Sequence, residues 1–103
     1  MTREEWAELS DREKRIKIAE LCGWQCNHSD VGMLIPPGKN SLDDAVGFDI
    51  LPDYLNDLNA MHEAEKMIKG KMIHHYLEAL EEYVYPAMAT AAQRAEAFAL
   101  TMD

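Results

Sequence analysis

The chain is short of cysteine, of positive charge and of long apolar runs, and each shortage removes a class of protein. Two cysteines in 103 residues cannot build a disulfide framework. A thiol pair beside seven methionines fits a reducing compartment. No stretch reaches the ~18 consecutive apolar residues of a membrane span. The opening MTREEWAELSDREKR is charged and has no apolar h-region, so it is not expected to act as a secretory signal. Bases number 10 against 19 acids, for a net charge of −9. A chain so charged is repelled by phosphate backbones and anionic lipid, so nucleic-acid and membrane partners are not expected. The basic run Arg12, Lys14, Arg15 and Lys17 alternates with Asp11, Glu13 and Glu20, which suggests a solvated helix face.

What is present is an ordinary globular composition, 48% hydrophobic, at a length suited to one domain. The expected fold is α+β and mostly helical: three to four helices packed with a small β-hairpin or short antiparallel sheet. Four segments make up this single domain, namely a helical N-terminus over 1–22, a hairpin and loop over 23–50, a helical hairpin over 51–84 and a last helix over 90–102.

The helix signals are local. Thr2 to Glu5, Ser10 to Glu13 and Thr90 to Gln93 all fit the S/T-x-x-E/Q capping box. They predict a short first turn, a break at Ser10 and a helix from Asp11 to about Cys22, with a continuous helix through Ser10 as the alternative, and another helix from Thr90 to about Met102. Gly23 is placed to end the second helix in a left-handed conformation. In WQCNHSDVGMLIPPG, Trp24 and Cys26 would share one strand face, residues 28–32 would turn, and Met33 to Ile35 would return. Pro36, Pro37 and Gly38 stop that strand, and Val46 to Ile50 offers a weak third. Leu51, Leu55, Leu58, Met61, Ala64 and Ile68 recur at helical spacing, predicting a helix to about Lys69 closed by Gly70. Ile73, Tyr76, Leu77, Leu80, Tyr83 and Val84 predict the next, packed beside it. Ala91, Ala95, Phe98 and Met102 form the stripe of the last.

Several blocks together resemble the phage ABA sandwich domain family, small proteins of tailed phages and prophages. They are Gly23, Trp24 and Cys26, then LIPPG at 34–38, LPDYLNDLNAMHEAEK at 51–66 and ATAAQRAEAF at 89–98. The resemblance spans about residues 18–100. It implies a mixed helix-and-sheet fold and expression in the cytoplasm of an infected bacterium. The family supplies no agreed catalytic residues, so none are carried over. Between Ile68 and Met88 this chain reads as helix where relatives often read as strand, which leaves the strand count open.

Candidate sites are few. Cys22, Cys26 and His28 could supply three zinc ligands, with a fourth from His62, His74, His75 or an acid. The competing assignment makes both thiols small packed side chains beside Trp24, and it is preferred, so no metal or cofactor is expected. C-x3-C also lacks the spacing of a redox pair. His74 and His75 point about 100° apart on a helix and cannot readily grip one ion. Asp43, Asp44, Asp49, Asp53 and Asp57 form the densest acidic stretch. They serve either as helix caps and solvation or as a partner-binding surface that mimics nucleic acid; DDAVGFD fits a calcium loop poorly. Asn56, Asn59 and His62 border the apolar stripe, where they would pin the Pro36–Gly38 segment or line a pocket. Met61, Met67, Met72, Met88 and Met102 read as adaptable core or interface.

No catalytic motif is visible. The expected function is therefore non-catalytic: an accessory protein of a phage or prophage that binds a host or phage protein, with inhibition of a bacterial defence system the sharpest form. The alternatives are a module that sequesters a nucleotide-like small molecule and a small zinc-dependent enzyme. A homodimer is open.

Overall fold

A computed structural model of the chain describes residues 1–26, 33–39, 42–82 and 85–103. The fold is α+β and mostly helical. Among the described residues five α-helices accompany one small antiparallel sheet, where three to four helices were expected. The extra helix is α1 (Arg3–Glu8), which the sequence suggested only as a turn. Its own capping box completes it, and a second box at Ser10 restarts the chain as α2 (Asp11–Leu21). At both starts the hydroxyl accepts the backbone N–H three residues on while the Glu carboxylate accepts from the cap N–H, at 3.1–3.2 Å.

Gly23 ends α2 as its position predicts. Its N–H donates to the Glu20 carbonyl at 3.1 Å and the Trp24 N–H donates to Ala19 at 3.0 Å, the double closure of a Schellman motif. This requires a left-handed backbone, and Gly23 has φ +100°. Pro37 packs over it, 3.6 Å from where a Cβ would stand. The strain is in the backbone, since that spacing is ordinary contact. Gly23→Ala is expected to lower stability by about 1 kcal/mol. An unchanged urea midpoint would contradict that assignment.

The sheet is a three-stranded meander. β1 (Gln25–Cys26) pairs with β2 (Met33–Ile35), Gln25 opposite Ile35, and β2 pairs with β3 (Val46–Gly47), Leu34 opposite Val46. The turn expected at residues 28–32 lies outside the described residues. Trp24 stands just before the strand. Pro36 to Lys39 forms a tight turn, with the Lys39 N–H on the Pro36 carbonyl at 3.1 Å and Gly38 at φ +82°. Proline then glycine at its two central positions is the type II signature. Only Val46–Gly47 of the suggested third strand pairs, and Phe48 to Ile50 coils into a 3-10 turn.

The long helix expected from Leu51 is shorter. α3 runs over Leu58–Glu65, with the Asp57 side chain accepting the Asn59 N–H at 2.9 Å. Residues 53–57 form a separate turn, closed by Asp57 N–H on the Asp53 carbonyl at 2.8 Å. Short polar side chains bonding to nearby groups compete with helix continuation, and here they win. The far end tightens through 3-10-type bonds at Met67 and Ile68 before Gly70 turns the chain at φ +61°. α4 (Met72–Glu81) then packs principally along α5 (Ala91–Met102) and not beside α3 as expected. Tyr83 and Val84 lie outside the described residues.

α5 is the hub. It touches α1, α2, α3 and α4, and Ala91, Ala95, Ala97, Phe98 and Ala99 are buried on it. Burial on nearly all sides requires small residues, which is what its alanines provide. Phe98 is fully buried, with Ile18, Leu34, Met61 and Leu80 as the other large side chains sealed inside. No helix among the described residues is long and apolar enough to cross a membrane.

Candidate interaction surface

The face of α2 that was expected to be solvated is so only in part: Asp11, Arg12, Glu13 and Glu20 are exposed, while Lys14, Arg15 and Lys17 are half-buried. Arg12 and Arg15 both lie over the Phe48 ring, 5.0 and 4.4 Å from its centroid. Arg15 also donates to the Leu51 carbonyl at 2.7 Å and faces the Asp53 carboxylate at 3.7 Å. Lys14 sits 5.5 Å above Trp6, and Lys17 bonds the Asp103 carboxylate at 2.9 Å, which holds that acid below the usual carboxylate range. Beyond α2, Arg3 joins α1 to Glu82 of α4 and Glu96 of α5. Arg94 is 12% exposed and holds Glu65 at 3.1 Å and the Ala89 carbonyl at 3.2 Å. Each exposed contact contributes little to stability, roughly 0–1 kcal/mol. Their larger effect is on field: counting Lys66, which pairs with Glu63 at 2.9 Å, at least seven of the ten bases are engaged within the chain while many acids stand outward.

The five acids singled out from the sequence divide into two groups. Asp43 and Asp44, in a 3-10 turn over Leu42–Asp44, and Asp49, in the turn Phe48–Ile50, are exposed. Beside Asp49, Ile50 is 68% exposed. Asp53 instead faces Arg15 and accepts from the Asn56 amide at 3.1 Å, and Asp57 caps α3. The outward three are carried on short turns on either side of β3, the second of them bearing the Phe48 ring over which Arg12 and Arg15 lie.

Of the zinc trio Cys22, Cys26 and His28, only the Cys22 side chain is among the described residues. It is a free thiol whose burial pushes its pKa up to about 11, so it stays protonated at neutral pH. Among the described residues no group of His, Cys, Asp and Glu is arranged to hold a metal. Trp24 is half-buried against the core, beside the Tyr54 phenol. Burial, then the neighbouring Cys22 thiol, push the Tyr54 phenol up to about 12.

Asn56 and His62 make local contacts in place of the expected pin onto Pro36–Gly38. Asn56 bonds Asp53, the His62 imidazole bonds Glu65 at 3.0 Å, and Asn59 is exposed. Asn56 does line an open cleft of about 340 Å³ with Trp6, Lys14, Leu55, Gln93 and Glu96. Two features escaped the sequence. The Glu65–Arg94 pair joins α3 to α5, and Tyr76 is buried beside it; burial, then the Glu65 carboxylate, push that phenol upward. Ile73 and Leu77 of α4, expected inside, are 46% and 38% exposed.

No protein-family model, curated protein or solved structure matches this chain.

Proposed function

We propose that the chain is a non-catalytic accessory protein of a phage or prophage, acting in the cytoplasm of a bacterial host by binding a host or phage protein. The observation that carries this reading is the division of charge. Bases engaged by rings and carboxylates of the chain leave the exposed Asp43, Asp44 and Asp49, with Ile50 next to Asp49, to present an anionic surface with an apolar anchor. Such a surface suits a basic groove, of the kind that otherwise holds nucleic acid, and steers the encounter electrostatically. A defence protein that grips nucleic acid is the sharpest candidate. The resemblance to phage ABA sandwich proteins supports the setting.

The test is affinity capture from bacterial lysate at low and moderate salt, with Asp43→Asn/Asp44→Asn/Asp49→Asn as the control. Circular dichroism and urea denaturation confirm that the neutralised variant folds as the native chain does. The expected result is a partner that is retained by the native chain, weakened by salt and lost with the neutralised variant. A partner captured equally by both, or none at either salt, contradicts the reading.

A second reading, binding of a small molecule, rests on the cleft beside Trp6. Asp11 and Glu96 in its lining disfavour an anionic, nucleotide-like ligand.

A further inference from the structure

The open cleft beside Trp6 already holds a cation, and that cation belongs to the chain itself. Lys14 of α2 lies with its ammonium 5.5 Å from the centre of the Trp6 ring of α1, and both residues line the cleft. Trp6 is 4% exposed, so its ring forms part of the wall and does not project. Two carboxylates share the lining, Asp11 on α2 and Glu96 on α5, and Arg3 approaches Glu96 at 3.6 Å. Asn56 gives its amide N–H groups to Asp53, which leaves its oxygen as the end able to accept. Gln93 keeps its oxygen on the Thr90 N–H, so it adds no acceptor.

These groups discriminate among ligands. An anion meets both carboxylates and is repelled. A quaternary ammonium has no N–H to give and is held by a cage of several rings, whereas this cleft offers one ring and oxygen acceptors. Oxygen acceptors beside a ring call for a cation that also donates N–H bonds, which is a protonated amine. Lys14 shows that the ring takes one. Its hold is weak, because such a contact at a partly exposed site is worth about 0.5–1 kcal/mol. Its flexible stem can also carry the ammonium out to water. Once it leaves, the lining keeps the ring and the two carboxylates, and a dication complements them.

From this we infer that the cleft binds an aliphatic diamine, one ammonium of which replaces that of Lys14 over the Trp6 ring while the other pairs with a carboxylate of the lining. Lys14 is then a built-in competitor that keeps the affinity low and the exchange fast. The cleft, at about 340 Å³, lies within the size range of small-molecule sites. The net charge of −9 adds a long-range attraction for a dication, which salt screens. The inference rests on the small-molecule reading of this cleft and is independent of the acidic face and its partner.

The test is a titration of the isotope-labelled full chain with putrescine at physiological salt, followed by NMR at the Trp6 indole and the backbone amides. The expected result is a dissociation constant on the order of 1 mM, with shifts centred on Trp6, Asp11 and Glu96. Lys14→Met tightens binding about fivefold, because the competing ammonium is gone. Asp11→Asn weakens it about fivefold. Far-UV circular dichroism confirms that both variants fold. A parallel titration with adenosine monophosphate separates this inference from the reading beneath it. Shifts at the cleft with the nucleotide but not with putrescine keep a small-molecule cleft and overturn the diamine, and shifts with neither overturn both. Putrescine shifts spread over the surface acids without a centre at Trp6, or a Lys14→Met chain that binds no tighter, also overturn the inference.

Discussion

Phe98→Ala lowers the free energy of unfolding by about 3–5 kcal/mol, the largest single-site loss expected in this chain. The size follows from position. Phe98 is fully buried on α5, the helix against which α1, α2, α3 and α4 all rest. The buried Ala95, Ala97 and Ala99 beside it on that helix are too short to close the void left by a lost ring. The flanking helices cannot move in without losing contact with one another, so the site collapses poorly and the cavity cost adds to the transfer cost. A domain of this size holds about 5–10 kcal/mol in all, so the variant sits near its unfolding midpoint at physiological temperature. Urea denaturation followed by circular dichroism measures the loss. A loss below about 1 kcal/mol would mean that α5 is not the hub of the core.

Arg94→Met lowers stability by about 1–3 kcal/mol, reduced from the value for a deeply buried pair because both partners keep an edge in water. The guanidinium holds Glu65 at 3.1 Å and the Ala89 carbonyl at 3.2 Å, at 12% exposure. Methionine preserves much of the packing and removes every donor. Glu65 is then left with the exposed His62 imidazole and the buried Tyr76 phenol beside it. The loss is mostly that of an unpaired carboxylate, so it depends on Glu65 being charged. Glu65→Gln placed on top of Arg94→Met therefore costs less than it does alone. A double-mutant cycle by chemical denaturation is expected to show coupling of about 1 kcal/mol or more. Additivity within about 0.5 kcal/mol would remove the pair from the account.

How far the fold could be read in the sequence depended on the range of the interaction that set each part. The breaks at Thr2, Ser10 and Thr90 and the stop at Gly23 were legible because cap and partner lie within a few residues. The start of α3 was also set locally, but at Asp57 instead of Leu51. Its apolar period continues back to Leu51, and periodicity alone does not reveal that the Asp57 side chain takes the Asn59 N–H from a continuing helix. Ile73 and Leu77 keep the same spacing as buried side chains, and no pattern in one sequence says whether the neighbour covering a stripe belongs to the same chain. The inward turn of Arg15 and Arg94, and the stacking of the exposed Arg12 on a ring, were hidden for a different reason. Their partners Phe48, Leu51 and Glu65 are distant along the chain, and alternating charge on a helix looks the same whether it is solvated or folded over a ring.

That inward turn of the bases is the centre of the account, because it makes an acidic composition into an acidic face. It is tested most directly by hydrogen exchange on the native chain, alone and with its captured partner. Slowed exchange at residues 42–50, reduced by added salt, is the predicted result. Protection confined to the basic side of α2, with residues 42–50 unchanged, contradicts it.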